Sequence, residues 1–215
     1  MNDRFRISEE NIEQLHQEWG ELYNRANLPI FLSREWMAGW CSRLLRMGEQ
    51  PLILTARKEG CLVGIAPLMI LNQTESERVI SFIGQDYSYG LGFIVAGKVP
   101  EEHSMIHHLL VRYLFENFLK DGTKIQFRHL SGDPALISAI RENSGRRGFR
   151  VEMGYQDPSR SIPLQDTFEK YLKQGIRSRK YRCTIPAQMK RLEDEALVRF
   201  YLSPPERFEL FWNEL

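Results

Sequence analysis

Residues 51–71, PLILTARKEGCLVGIAPLMIL, constrain this chain more than any other stretch. Two apolar runs flank Lys58-Glu59-Gly60, a short turn rich in conformational freedom, and so predict a β-hairpin. The second run is apolar enough to be a central strand, while Gly64 and Pro67 within it predict a bulge or a point where neighbouring pairing stops. ERVISFIG and LGFIVAG continue the sheet on either side of the loop GQDYSYG, and short successive strands joined by short turns imply an antiparallel meander. Ahead of the hairpin, Ser8 with Glu9 and Glu10 predicts a helix start, followed by Ile12, Leu15, Trp19, Leu22 and Tyr23 at helical spacing. A second helix begins at Ser33, with Trp36, Met37, Trp40, Cys41, Leu44 and Leu45 in one stripe, read as core rather than as a cofactor box. Beyond residue 100 the rhythm changes. A helix over 101–120, a strand KIQFRHL, a helix from Pro134 to Asn143 closed by Gly145, and strands FRVEMGY and SRSIPL predict cover on both sheet faces. The class is α/β (α+β), with a mixed, largely antiparallel central sheet flanked by helices.

Composition excludes several functions. A net charge of +1 rules out a globally basic nucleic-acid binder, and nucleic acid is not the expected partner. The three cysteines, Cys41, Cys61 and Cys183, are far apart with no C-x-x-C pair, which suits reduced thiols in the cytoplasm. The N-terminus is charged from its third residue and lacks an apolar leader core, and the longest apolar run, Leu62 to Leu71, is about half the ~20 residues of a membrane span. A cytoplasmic protein is expected.

Positive charge is concentrated at one place. Residues 167–196 carry Lys170, Lys173, Arg177, Arg179, Lys180, Arg182, Lys190 and Arg191 with no acid between Lys170 and Glu193. A charge run on a helix is commonly a solvated face, yet the tight cluster Arg177, Arg179, Lys180 and Arg182 also suits bidentate recognition of phosphate. Ile185-Pro186 predicts a break or kink within this helix. After it, LVRFYLS reads as strand and PPERFELFWNEL as an amphipathic helix, the opening of a further α/β unit.

Other motifs are weaker. GFIVAGK has the spacing of a phosphate-binding loop, but Val99 follows its lysine and the interior residues are strand formers. His103 and His107 stand one helical turn apart, a spacing that binds zinc when a third ligand arrives; with none in sequence, and His108 pointing away, they read as solvated and no metal is expected. The loop Asp86-Tyr87-Ser88-Tyr89 can be a small-molecule site, since acids and aromatics on a loop held by a sheet position polar substrates, or a turn whose tyrosines cap the core. His129, at a strand end, can act as a general base.

FLSREWMAGW, PLILTARKEGCLVGIAPLMI, the Gly84 to Tyr87 loop after ISFIG, IQFRHL, DPSRSIPL, and YLKQGIRSRKYRCTIPAQMKRLEDE leading into VRFYL, in this order, resemble the N-terminal portion of CelD/BcsL-type acyltransferases. These are bacterial proteins of the GNAT superfamily, similar also to Fem-type peptidyltransferases. The resemblance implies two GNAT-like domains in tandem, here 1–165 and an incomplete second one over 166–215 that opens with the basic helix. It implies transfer of an acyl group from acyl-CoA or acetyl-CoA, as co-substrate, to an amine or hydroxyl of a small-molecule or saccharide acceptor, in polysaccharide or cell-surface biosynthesis. Arg177, Arg179, Lys180 and Arg182 would hold phosphates and Tyr89 the substrate; Asp86, Tyr87 and His129 are the candidates for the base. The GNAT pyrophosphate loop, Arg or Gln followed by x-x-G-x-Gly or Ala, does not occur in the sequence. The alternative is therefore a non-catalytic GNAT-like binding or assembly module, with a homodimer formed through the elements after Val198 as its expected assembly.

Overall fold

A computed structural model of the protein describes residues 4–26, 28–72, 77–97, 99–119, 122–154 and 165–195. The chain divides into two compact units, 1–156 and 157–215.

The first unit is built on one sheet. Strand β1 (Phe5–Glu9) is followed by a 3-10 turn (Ile12–Leu15), helix α1 (His16–Ala26), a second 3-10 turn (Ile30–Leu32) and helix α2 (Arg34–Met47). Strands β2 (Gln50–Lys58), β3 (Cys61–Asn72), β4 (Arg78–Phe82) and β5 (Ile94–Val95) come next, then α3 (Pro100–Phe118), β6 (Thr123–Ile125) and α4 (Pro134–Arg146). The strand order is β1-β2-β3-β4-β6, with β5 also on β3; every pairing is antiparallel except β4 with β6. This is the mixed, largely antiparallel sheet flanked by helices that the sequence predicts.

The hairpin forms as read. Glu59 and Gly60 take φ of 51° and 85°, the left-handed pair a tight turn between twisted strands requires. Residues 52–56 and 64–69 are buried without alternation, so both faces of β2 and β3 are covered, and α1, α2 and α3 all pack on these strands. The register slips opposite Ala56 and Arg57, beside Gly64, where a bulge was expected. Gly64 is required there for closeness: an added Cβ would lie 2.6 Å from Ile106 Cγ2 of α3.

Three expectations are corrected. Ser8 does not start a helix. It lies in β1 opposite Thr55, and Asn11 supplies the cap instead, its side chain accepting from the Glu13 amide. Arg57 explains why β1 is a strand, since its guanidinium donates to both carboxylate oxygens of Glu10 (2.9 Å each) and to both of Glu18 (2.7 and 2.8 Å), tying this segment to β2. FRVEMGY is not a strand over its described residues 149–154, which run irregularly with Phe149, Val151 and Met153 exposed. No strand lies beside them among the described residues to accept their ladder.

In the second unit the basic stretch forms α5 (Phe168–Gln174) and α6 (Arg179–Glu195). The break expected at Ile185-Pro186 falls instead at residues 175–178, and α6 runs on through Pro186. Thr167 caps α5 by accepting from the Lys170 amide, and the Gly175 amide closes it on Tyr171 O at 2.7 Å, which ends that helix ahead of 175–178; Pro186, with no N–H to donate, lies inside α6. The strand SRSIPL, and the strand and helix expected after Val198, lie outside the described residues. Among the described residues no helix is long and apolar enough to cross a membrane.

Candidate functional site

The site begins with a missing donor. Pro67 has no N–H, and its carbonyl accepts from the Ile83 amide, so it faces the neighbour that β4 and β5 supply. Pairing of β3 with β4 ends at Leu68↔Phe82 and resumes with β5 only at Ile65↔Ile94. In that gap the chain leaves the sheet as residues 83–93. It rejoins through a parallel bridge between Leu91 and Leu130, held by the Leu91 amide on His129 O (2.9 Å) and the Ser131 amide on Leu91 O (2.6 Å).

What the excursion carries is laid on α2. Gly84, at φ 65°, sits so close to Trp40 that a Cβ would be 2.7 Å from its ring. Tyr87 stacks on Trp40 with centroids 5.5 Å apart and planes 17° apart. Ser88, fully buried, accepts from Trp36 Nε1 at 2.9 Å, and Gln85, also buried, accepts through Oε1 from the Arg128 amide. These buried contacts pin the loop and leave the others outside: Tyr87 is 67% and Tyr89 63% exposed.

Tyr89 meets Phe31 on one side and His129 on the other, the latter edge-to-face at 4.6 Å. His129 has φ of 53°, a left-handed conformation uncommon for a side chain of its size and of the kind that collects at functional sites. Asp86 accepts from Arg128 Nη1 at 3.1 Å in an exposed pair. Glu49 lies near enough that burial first, and then the Asp86 charge, hold its carboxyl above the usual range.

Asp86, Tyr87, Tyr89 and His129, candidates from separate stretches of the sequence, are therefore brought to one surface. The sequence reading missed four neighbours. Trp36 and Trp40, whose helical spacing reads as core, are partly buried, Trp40 packing against the core, and they also make the floor of the loop. Arg128 and Glu49 gave no signal at all, since single charges flanking strands are everywhere in soluble chains. Two shallow hollows lie elsewhere, one lined by Arg141, Ser144, Phe149 and Val151, the other by Pro100, Ser104, His108 and Arg146.

Arg177, Arg179, Lys180 and Arg182 belong to the second unit. All four are exposed, at and just before the start of α6, and none has a carboxylate partner among the described residues. Cations at a helix N-terminus oppose its dipole, so the arrangement is tolerated rather than self-stabilising.

No family model and no curated protein matches the chain. Solved structures similar to it include two acetyltransferases by their descriptions. One is a possible acetyltransferase from Clostridium difficile 630, at TM-score 0.42 and 9% identity over 74% of this chain and 99% of that one. The other is the aminoglycoside N-acetyltransferase AAC(6')-Iy in complex with CoA, at TM-score 0.37 and 14% identity over 72% and 95%.

Proposed function

We propose that the protein is a GNAT-like acyltransferase of the CelD/BcsL type, moving an acyl group from acyl-CoA to an amine or hydroxyl on a small-molecule or saccharide acceptor. The observation that carries the reading is the sheet break at Pro67, which sends Asp86, Tyr87 and Tyr89 out beside His129 on a loop pinned by buried polar contacts. Acyl transfer asks for little more than such a platform. The acceptor nitrogen or oxygen attacks the thioester carbonyl, the C–S bond breaks, and the thiolate leaves to be protonated. The proton lost by the acceptor needs a base, and His129 fills that role, with Asp86, ion-paired to the adjacent Arg128, as the carboxylate at the site. The exposed ring of Tyr89 supplies a flat, partly apolar face for a sugar or other polar ring.

Arg177, Arg179, Lys180 and Arg182 bind phosphates of the donor, which their exposure and lack of acidic partners among the described residues support. The second unit is then the opening of a further GNAT-like domain, and a role in polysaccharide or cell-surface biosynthesis follows from the same resemblance. A free-thiol assay tests the reading: with acetyl-CoA and a panel of amino sugars, amines and oligosaccharides, the protein accelerates CoA release for at least one acceptor. Rates equal to the protein-free control across the panel argue against it. The absence of the pyrophosphate-loop motif favours a second reading, a GNAT-like binding or assembly module without a donor site. That module binds acceptor saccharides and releases no thiol.

A further inference from the structure

The histidine pair read from sequence as solvated acquires a third partner in the fold. His103 and His107 lie on α3, and Asp133 is the N-cap residue of α4, its Oδ1 accepting from the Ala135 amide at 2.9 Å. The other carboxylate oxygen, Oδ2, faces both rings, 3.4 Å from His107 Nε2 and 3.9 Å from His103 Nε2. One donor atom from each of the three residues falls within 4.8 Å of the others.

The tautomer decides what this cluster wants. His107 Nδ1 is 2.9 Å from the carbonyl oxygen of His103, which can only accept, so Nδ1 carries the hydrogen. In the neutral ring Nε2 then has a lone pair directed at a carboxylate oxygen. His107 is wholly buried, and among the described residues its Nε2 has no hydrogen-bond partner. A buried lone pair opposite an anionic oxygen is repulsive unless a cation lies between them. Phe93, stacked parallel on His107 at 5.9 Å, and Gly97, where a Cβ would lie 2.5 Å from the His103 amide nitrogen, fix the helix and the ring in place.

We propose that His103, His107 and Asp133 bind a divalent zinc-class cation. Zinc takes nitrogen and oxygen ligands at about 2.0–2.2 Å in a tetrahedron, whose edges are then about 3.4 Å. The His107–Asp133 separation equals such an edge, and the His103–Asp133 separation of 3.9 Å reaches it by a small rotation of the half-exposed His103. The Nδ1–H bond from His107 to a backbone carbonyl is the outer contact that metal-bound histidines make, fixing the ligating nitrogen. Two imidazoles and one carboxylate leave the fourth position for water. The cation clips α3 to the start of α4, and the inference does not depend on the acyl-transfer reading. It departs from the expectation of no metal because the third ligand comes from another element, at no recognisable spacing in sequence.

The test is calorimetric titration of the chelator-treated full chain with zinc chloride, together with the absorption spectrum of the cobalt(II)-loaded protein. One equivalent binds to the wild type, cobalt gives the intense visible bands of a tetrahedral site, and zinc raises the Tm by several degrees. His103→Gln and Asp133→Asn, both at partly exposed positions, each weaken binding by at least about 100-fold, more than loss of an outer contact costs. Asparagine still caps α4, so Asp133→Asn separates ligation from folding. Absence of binding by the wild type, unchanged affinity in both variants, or thiolate charge-transfer absorption from the exposed Cys61 or Cys183 overturns the site.

Discussion

Replacing Gly84 with alanine strikes the point on which the candidate site hangs. Gly84 has φ of 65°, where an L-residue pays about 1–2 kcal/mol, and its new methyl would stand 2.7 Å from Trp40 Cδ1 and Nε1. That approach is well inside contact distance, and forcing an extra methyl into a filled space costs about 1–3 kcal/mol. Together the two effects predict a destabilisation of about 2–5 kcal/mol. If Trp40 swings aside to make room, it forfeits the Tyr87 stack, itself worth about 0.5–1.5 kcal/mol, so escape is not free. Urea unfolding followed by tryptophan fluorescence and far-UV circular dichroism reads the change as a lower midpoint at unaltered slope. Gly39→Ala is the matched control. Gly39 lies within α2 with nothing within 4 Å of its added Cβ, so the same methyl there stabilises by up to about 1 kcal/mol through helix propensity. A Gly84→Ala protein within about 0.5 kcal/mol of wild type would refute the packing of loop on helix described above.

Three further outcomes follow from the same geometry. Hydrogen bonds from Arg57, acting against a smaller desolvation cost, lower the Glu10 pKa to about 2 from 4.5, so its contribution is full above pH 4.5 and is lost as pH falls toward 2. With the pair one-fifth exposed and screened accordingly, that contribution is about 1–2 kcal/mol, and Glu10→Gln should flatten the acid limb of a stability–pH curve by this amount. His129→Ala should lower acyl-transfer turnover by about 10²–10⁴-fold with the urea midpoint little changed, since the ring is at the surface of the site; loss of fold with activity would make its role structural. Arg177→Ala with Arg179→Ala should weaken CoA binding and reduce its salt dependence, measured as the slope of log Kd against log salt, whereas an unchanged slope removes these side chains from the donor site.

How much of this was legible in sequence depended on whether the signal was local. The hairpin of β2 and β3 announced itself because two long apolar runs met at a turn that only Glu59 and Gly60 had to make. Strand β1 was hidden because Ser8-Glu9-Glu10 has the composition of a helix cap, while what makes it a strand is Arg57, nearly fifty residues away. The same distance concealed the roles of Trp36 and Trp40, whose partners Ser88 and Tyr87 arrive from the far side of the hairpin. Pro67 was visible as a pairing fault, and the fault proved to be the opening through which the candidate site leaves the sheet. Asp133 was unreadable as a ligand, because its local sequence describes it fully as a helix cap.

Whether this chain handles an acyl-CoA is decided by calorimetric titration with acetyl-CoA and with free CoA. Saturable binding of both, at one equivalent and weakened by salt, is the expected result. Titrations indistinguishable from buffer dilution for both ligands would contradict it.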